Sequence, residues 1–573
     1  MNNSRLQFSF LCIYMLCAAG IITFADGWWD TTGNEFITTF MQNYKASYGP
    51  ASFQLMIRAS ESSAFASVKV YNTDFEVILS LQQYQTMNVQ IPASAELSGS
   101  SNFNSKTVVI TSTQPVSVFS INYKPYTADS SVIFPLQVLG TEYYVFTPLG
   151  RYGSPQFAVT NSNHTNNVLI TLTGSVTYNG NYYQSGDTIS LNLSPFETVQ
   201  LQSAASLSGT RIQSQYPVAV LSGNNCYTYH TYCDIVFEQL LPVKEWGTES
   251  VISSLPGRNF EDTITIIASQ TTDIFTNSGD KSNKIVLHEG GILSLSLPPT
   301  SFLEINATNG IMVIFTFTGG MLYNIESDPF IMNVIPLEIF SDSYILHTQN
   351  NFANFIHIIA KESVKHDILL DDQPLPNDLI WNSISTTEYV WADIPIEGTS
   401  TAHTVKNCSA CGVYICGAEY GISLGTIALP VKIVNPVENL KASVFKGASV
   451  NVTWSSPTKG EVGYYYVQLI GSPSQNAIVT KENAVFTGLM PPNTYTVIVE
   501  AVDKYKITKS IPKSTTFFCS IPTNWCLSRP SKKCCPKADT SCRSIDRKCF
   551  CDEKCKVYGN CCDDYSMLCK GTP

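Results

Sequence analysis

Polar and apolar residues along the first 430 positions trade places with a period close to two, in runs of five to eight that turn residues interrupt. Ser52-Phe-Gln-Leu-Met-Ile-Arg58, Ala66-Ser-Val-Lys-Val-Tyr71, Met87-Asn-Val-Gln-Ile91 and Thr107-Val-Val-Ile-Thr111 alternate or run apolar, and Asn72-Thr-Asp74 and Pro92 punctuate them. Asn167-Val-Leu-Ile-Thr-Leu172 and Thr188-Ile-Ser-Leu-Asn-Leu193 repeat the pattern around a hairpin turn at Tyr178-Asn-Gly-Asn-Tyr182. Runs this short predict strands rather than helices.

The strands come in sets. Pro135, Pro242, Pro336 and Pro430, each followed by Leu or Val, stand 107, 94 and 94 positions apart. A second marker precedes each proline, an apolar run closing Pro115–Asn122, Pro217–Asn224, Gly310–Phe317 and Gly412–Gly417. Two markers recurring in step predict four tandem units of about 100 residues. Seven or eight strands per unit suit an antiparallel sandwich. A propeller with two four-stranded blades per unit is the alternative, and the pattern does not separate the two. The fold class is all-β either way.

Beyond the fourth unit the pattern changes. Val450-Asn-Val-Thr-Trp454, Tyr464-Tyr-Tyr-Val-Gln-Leu469 and Tyr495-Thr-Val-Ile-Val-Glu-Ala-Val502 predict a separate small sandwich, and from Cys519 eleven cysteines fall within 51 residues. A segment that short cannot bury enough apolar surface alone, so disulfides must hold it. The expected organisation is an export signal at 1–25, the four-unit region at 26–435, the sandwich at 436–517 and the cysteine-rich module at 518–573. Arg5, the apolar run Leu6 to Phe24 and small residues near Ala25 carry the signal reading.

Composition narrows the function. Only 14% of residues are charged and the net charge is −11, which excludes the clustered Lys and Arg that nucleic acid demands. No later window is apolar enough to span a membrane as a helix. Eighteen cysteines, two of them in the signal, point to an oxidising compartment. Sequons at Asn163, Asn192, Asn306, Asn407 and Asn451 fit glycosylation on export. The seven histidines are scattered, with no Gly-x-Ser-x-Gly, His-Glu-x-x-His or phosphate-loop motif, so neither catalysis nor a cofactor is expected. Cys226 and Cys233 are expected to close a disulfide loop rather than hold zinc, because a fourth ligand is missing. Cys408, Cys411 and Cys416 read as a second disulfide loop in which one cysteine must pair elsewhere. The other unassigned cysteines are Cys519, Cys526 and Cys534, and leftover thiols could link chains into oligomers.

Three stretches resemble known families. Gly33-Asn-Glu-Phe-Ile-Thr-Thr-Phe-Met-Gln-Asn43, Gly209-Thr-Arg-Ile-Gln-Ser-Gln-Tyr-Pro-Val-Ala-Val-Leu-Ser-Gly-Asn-Asn-Cys226 and Glu238-Gln-Leu-Leu-Pro-Val-Lys-Glu-Trp-Gly247 resemble the N-terminal domain of the IgGFc-binding protein family over roughly 27–435. Trp454, Leu489 and Tyr495 resemble the core positions of a fibronectin type III domain. Cys549-Phe-Cys551-Asp-Glu-Lys-Cys555, Cys561-Cys562 and Cys569 are similar to the somatomedin B spacing. That last resemblance implies pairs 535–551 (Cys534 standing as an alternative to Cys535), 542–569, 549–562 and 555–561, while eight cysteines allow 105 arrangements. It also implies a partner-binding face at Asp552, Glu553 and Tyr558, with Lys554 and Val557 departing from the family's apolar and aromatic residues. Together the resemblances imply a secreted protein that binds extracellular proteins or glycans. A structural component of a secreted gel or adhesive coat, cross-linked by disulfides, is the alternative.

Overall fold

The computed structural model describes residues 31–569 apart from 45–48, 61, 231, 386, 397–401, 431–436, 446–447, 458–461, 504–509, 511 and 532. The expected signal at 1–25 lies outside them. Two compact units divide at Val431 and Lys432.

In the first unit one strand plan occurs four times. A long strand dominates each repeat: Val108–Lys124, Arg211–Tyr227, Phe302–Phe317 and Ala402–Glu419. In the first repeat its leading half pairs with Gly33–Thr38 and Ala64–Val70, to which Glu76–Leu81 adds. Its trailing half pairs with Ser52–Ala59, extended by Thr86–Ile91, and with Thr127–Ile133. Two four-stranded sheets therefore share one strand and fold face to face as a sandwich. Phe36, Phe53, Val68, Ile110 and Val118, all fully buried, fill the space between them. Separate propeller blades would not share a strand, so the sandwich expectation holds.

The shared strand changes sheets at a bulge, and the register records it identically each time. Thr111 to Val116, Gln213 to Val218, Asn306 to Ile311 and Lys406 to Cys411 each skip four residues opposite a short step on the partner. Ser112 and Ser214 each donate across the bulge, to the Gln114 and Tyr216 carbonyls at 2.7 Å. In the fourth repeat the Cys408–Cys411 disulfide crosses the same feature. The expected loop over 408–416 is thus the middle of a strand. Cys416 is a correction: it is a buried thiol in no disulfide, placed between Phe355 and Gly425 on neighbouring strands.

The four marker prolines occupy matching environments. Phe36 bridges to Pro135 as Tyr344 bridges to Pro430. A Cβ on Gly33, Gly140 or Gly247 would stand 2.4, 2.5 or 2.4 Å from the Cβ of Pro135, Pro242 or Pro336, which explains the glycines.

The last strand of each repeat, Thr127–Ile133, Asp234–Gln239, Phe330–Asn333 and Ile422–Ile427, packs against those of the two flanking repeats, and the fourth returns to the first. The result is a closed ring about a pseudo-fourfold axis. Every residue of these strands is buried. Side chains bridge them: Thr127, Asp129 and Ser131 accept the amides of Ile235, Phe237 and Gln239 at 2.8–2.9 Å. The Thr31 hydroxyl donates to the Pro430 carbonyl (3.3 Å), joining the start of the ring to its end.

In the second unit a three-stranded and a four-stranded sheet enclose Trp454, Tyr465, Leu489 and Tyr495. The Tyr495 hydroxyl accepts the Met490 amide and donates to the Ser472 carbonyl at 2.6 Å, pinning a corner. Cys519 ends the last strand inside this core. Five disulfides follow: Cys526–Cys551, Cys534–Cys569, Cys535–Cys542, Cys549–Cys562 and Cys555–Cys561. The implied pairs 535–551 and 542–569 are absent. The Cys535 amide does donate to the Cys551 carbonyl at 3.0 Å, so the two backbones meet, but Cys526 supplies the sulfur. The sulfurs of Cys526, Cys551 and Cys562 lie within 4.8 Å of one another, a crowding in which spacing does not decide partners.

Candidate binding site: a tyrosine cup on the axis

One end of the ring axis is a cup of about 660 Å³ lined from all four repeats. Its rim is built by the turns leading into the axial strands. Lys124-Pro125-Tyr126 and Glu419-Tyr420-Gly421 are tight hairpins, and Tyr232 stands on a loop that the Cys226–Cys233 disulfide closes. Tyr126, Tyr152, Tyr232 and Tyr420 are 65–74% exposed, an unusual concentration of bare rings. Tyr44 completes the wall.

The floor is acidic. Asp328 lines the cup, and behind it lie Asp234, next in sequence to the lining residue Cys233, and Asp129. Lys124 also lines the cup, but its ammonium is engaged by Glu96 at 2.8 Å. Burial drives the carboxyls of Asp129 and Asp234 well above the usual range, with neighbouring carboxylates adding to it. Neither oxygen of Asp234 has a hydrogen bond of good geometry, although the Thr127 hydroxyl and the Ala128 amide lie beside it. Deeper still, Glu238 accepts from the Ser131 hydroxyl (2.6 Å) and the Asn333 amide (3.2 Å), joining three repeats, and burial pushes its carboxyl up to about 8.

A second cleft, about 850 Å³, runs between the second and third repeats past Leu149, Tyr229, His230 and Phe260. The His230 ring stacks on Phe260 with centroids 4.0 Å apart. Burial, then Arg258 and Arg151, hold this imidazole below its ordinary value. The Arg258 guanidinium itself forks onto Asp262 at 2.6 and 2.8 Å, fully buried.

Sequence motifs gave no sign of one further arrangement. The Ser253 hydroxyl lies 2.9 Å from His357 Nε2, and His357 Nδ1 lies 2.7 Å from Asp393 Oδ1. That is the spacing of a hydrolytic triad. Ser253 is only 1% exposed and lines neither of these two cavities, so its oxygen is buried in the packing between repeats. The relay ties the third repeat to the fourth.

In the tail, Asp552 does not belong to an open face. It is buried, and its carboxylate accepts the amides of Cys555 (2.9 Å) and Asp539 (3.2 Å). Glu553 and Tyr558 are exposed. Of the sequon asparagines, Asn163, Asn192 and Asn407 are exposed while Asn306 and Asn451 are half-buried.

Comparison with known proteins bears on the ring first. The family described as IgGFc binding protein matches residues 129–417. The chain belongs to that family. The human IgGFc-binding protein is 31% identical over 413 residues, which is 71% of this chain and 8% of that relative's length. In this member of the family a fibronectin type III match covers 435–516. Solved fibronectin type III structures are also similar to the chain: the domain of human collagen alpha-1(XX) chain at 23% identity (18% of this chain, 94% of that one, TM-score 0.15), and a two-domain segment of chicken tenascin at 16% (31% and 93%, TM-score 0.21). Scores so low carry no argument of their own. Among the described residues no helix is long and apolar enough to cross a membrane.

Proposed function

We propose that this family member is a secreted, glycosylated recognition protein that holds an extracellular protein or glycan in the axial cup. The observation that carries the reading is the rim: four tyrosines, each about two-thirds or more exposed, converge from three repeats on one concavity. Tyrosine offers a large, rigid, amphipathic contact at small entropic cost, which is why it concentrates in binding surfaces. The relative's name gives immunoglobulin Fc as its ligand, and Fc is accordingly the first candidate partner. The fibronectin-like region at 436–517 would act as a spacer and the stapled module at 518–573, somatomedin B-like by its cysteine order, as an end cap. Both matched families are binding or structural domains, which supports a role without catalysis. The signal at 1–25 and the five sequons belong to the same proposal.

The alternative of a disulfide-linked coat has less support. Cys526 and Cys534, two of the candidates for cross-links, pair within the tail, and Cys416 is buried.

The test is to immobilise the full secreted chain and present purified Fc, other extracellular proteins and a glycan array. Binding that disappears in Tyr232→Ala and Tyr420→Ala, with thermal unfolding unchanged, is expected. Binding indifferent to both substitutions would overturn the assignment to the cup.

A further inference from the structure

We infer that the cup takes a cationic side chain, a guanidinium or ammonium presented on a loop of the partner protein. The inference rests on the cup being the binding site and names the chemistry it selects. Two features point the same way. The walls are tyrosine faces, whose ring quadrupoles attract a cation laid over them. The lining carries Asp328, whose charge also reaches the buried Asp234. Asp234 is wholly buried beside the Thr127 hydroxyl and the Ala128 amide, so the carboxylate that a bound cation meets is Asp328.

The cup's own cation does not oppose this. Lys124 is held by Glu96 and by the Tyr44 carbonyl, a local pair with no net charge. Glu419, beside Tyr420 on the rim, lies close enough to raise the Tyr123 phenol and adds a further negative charge. A volume of about 660 Å³ exceeds what a lone ammonium fills and sits within the range that receives a drug-sized group. An arginine fits it best, since its plane stacks on a ring while its donors fork onto a carboxylate.

The experiment uses the full chain titrated calorimetrically with N-acetyl-arginine amide and with its neutral isostere, N-acetyl-citrulline amide. The arginine probe should bind about tenfold more tightly than citrulline, and weaken by a similar factor in Tyr420→Ala and in Asp328→Asn. Equal binding of the two probes, no binding of arginine, or arginine binding untouched by Tyr420→Ala overturns the inference. Tyr420 is exposed, so its substitution reads the site even if Asp328→Asn unfolds the ring. Should partner binding depend on the cup while the two probes bind alike, the cup remains the site and only the charge selection falls. Should arginine bind the cup while partner binding ignores it, the opposite holds.

Discussion

Single side chains show how far a catalytic geometry can stand from catalysis. Ser253, His357 and Asp393 sit at the distances of a triad, yet the serine oxygen is sealed between two repeats. Its work is structural. Ser253→Ala should cost about 1–3 kcal/mol in denaturant unfolding, because it strands a buried imidazole nitrogen. A serine-directed fluorophosphonate should leave the native protein unlabelled, and labelling that vanished in Ser253→Ala would reverse the assignment. Cys416 supports a parallel expectation. Burial raises its thiol well above the ordinary value, which starves it of thiolate. Iodoacetamide should modify it only once the chain is unfolded, and mass spectrometry of native against denatured protein reads the difference.

Strands and turns carry what the sequence made legible. Alternation placed the outer sheet strands because these have one wet face, as Thr188–Leu193 shows by alternating exposed and buried residues. The prolines marked the repeats because three of them, Pro135, Pro242 and Pro336, pack on a glycine at the start of a sandwich. That contact should be intolerant: Gly247→Ala would set a methyl 2.4 Å from the Pro336 Cβ, and a loss of about 1–3 kcal/mol in thermal unfolding is expected. Wild-type stability in this variant would mean that the repeats are not fastened there. The axial strands were opaque for the opposite reason. Thr127-Ala-Asp-Ser-Ser131 has the composition of a surface segment yet is wholly buried, since these strands join across repeats through side chains rather than through a backbone ladder. The cup stayed hidden with them, although a tyrosine in the turn before an axial strand, at 126, 232 and again at 420, was a usable signal. In the tail, cysteine order matched a family while two of the implied pairs failed, because three sulfurs share one small space.

Across the whole ring, closure depends on buried groups that titrate. Glu238 links the second repeat to the first and third, with the Thr426 hydroxyl of the fourth alongside and Asp129 nearby. Its folded value of about 8 lies above the ordinary 4.5, so the folded state holds a proton that the unfolded chain releases. Stability from this group is complete below about pH 4.5 and declines as the pH climbs toward 8. The raised carboxyls of Asp129 and Asp234 push in the same direction. His347 opposes them. Burial and the Arg58 charge hold its imidazole at about 3 against an ordinary 6.5, so it costs stability as the pH falls through that interval. Between about pH 4.5 and 6.5 Glu238 loses what His347 gains, which leaves Asp129 and Asp234 to set the slope there. Urea unfolding should therefore find the ring firmest in mild acid, with a decline of a few kcal/mol between pH 6.5 and 8. Glu238→Gln keeps the neutral hydrogen-bonding shape without the proton, and should make the alkaline limb shallower while leaving the acid limb in place. An alkaline limb left unchanged by this substitution would remove Glu238 as a source and leave the limb to Asp129 and Asp234. A ring that tightens in mild acid would grip the cup's rim more firmly there, because the rim turns are continuous with the axial strands this carboxyl joins.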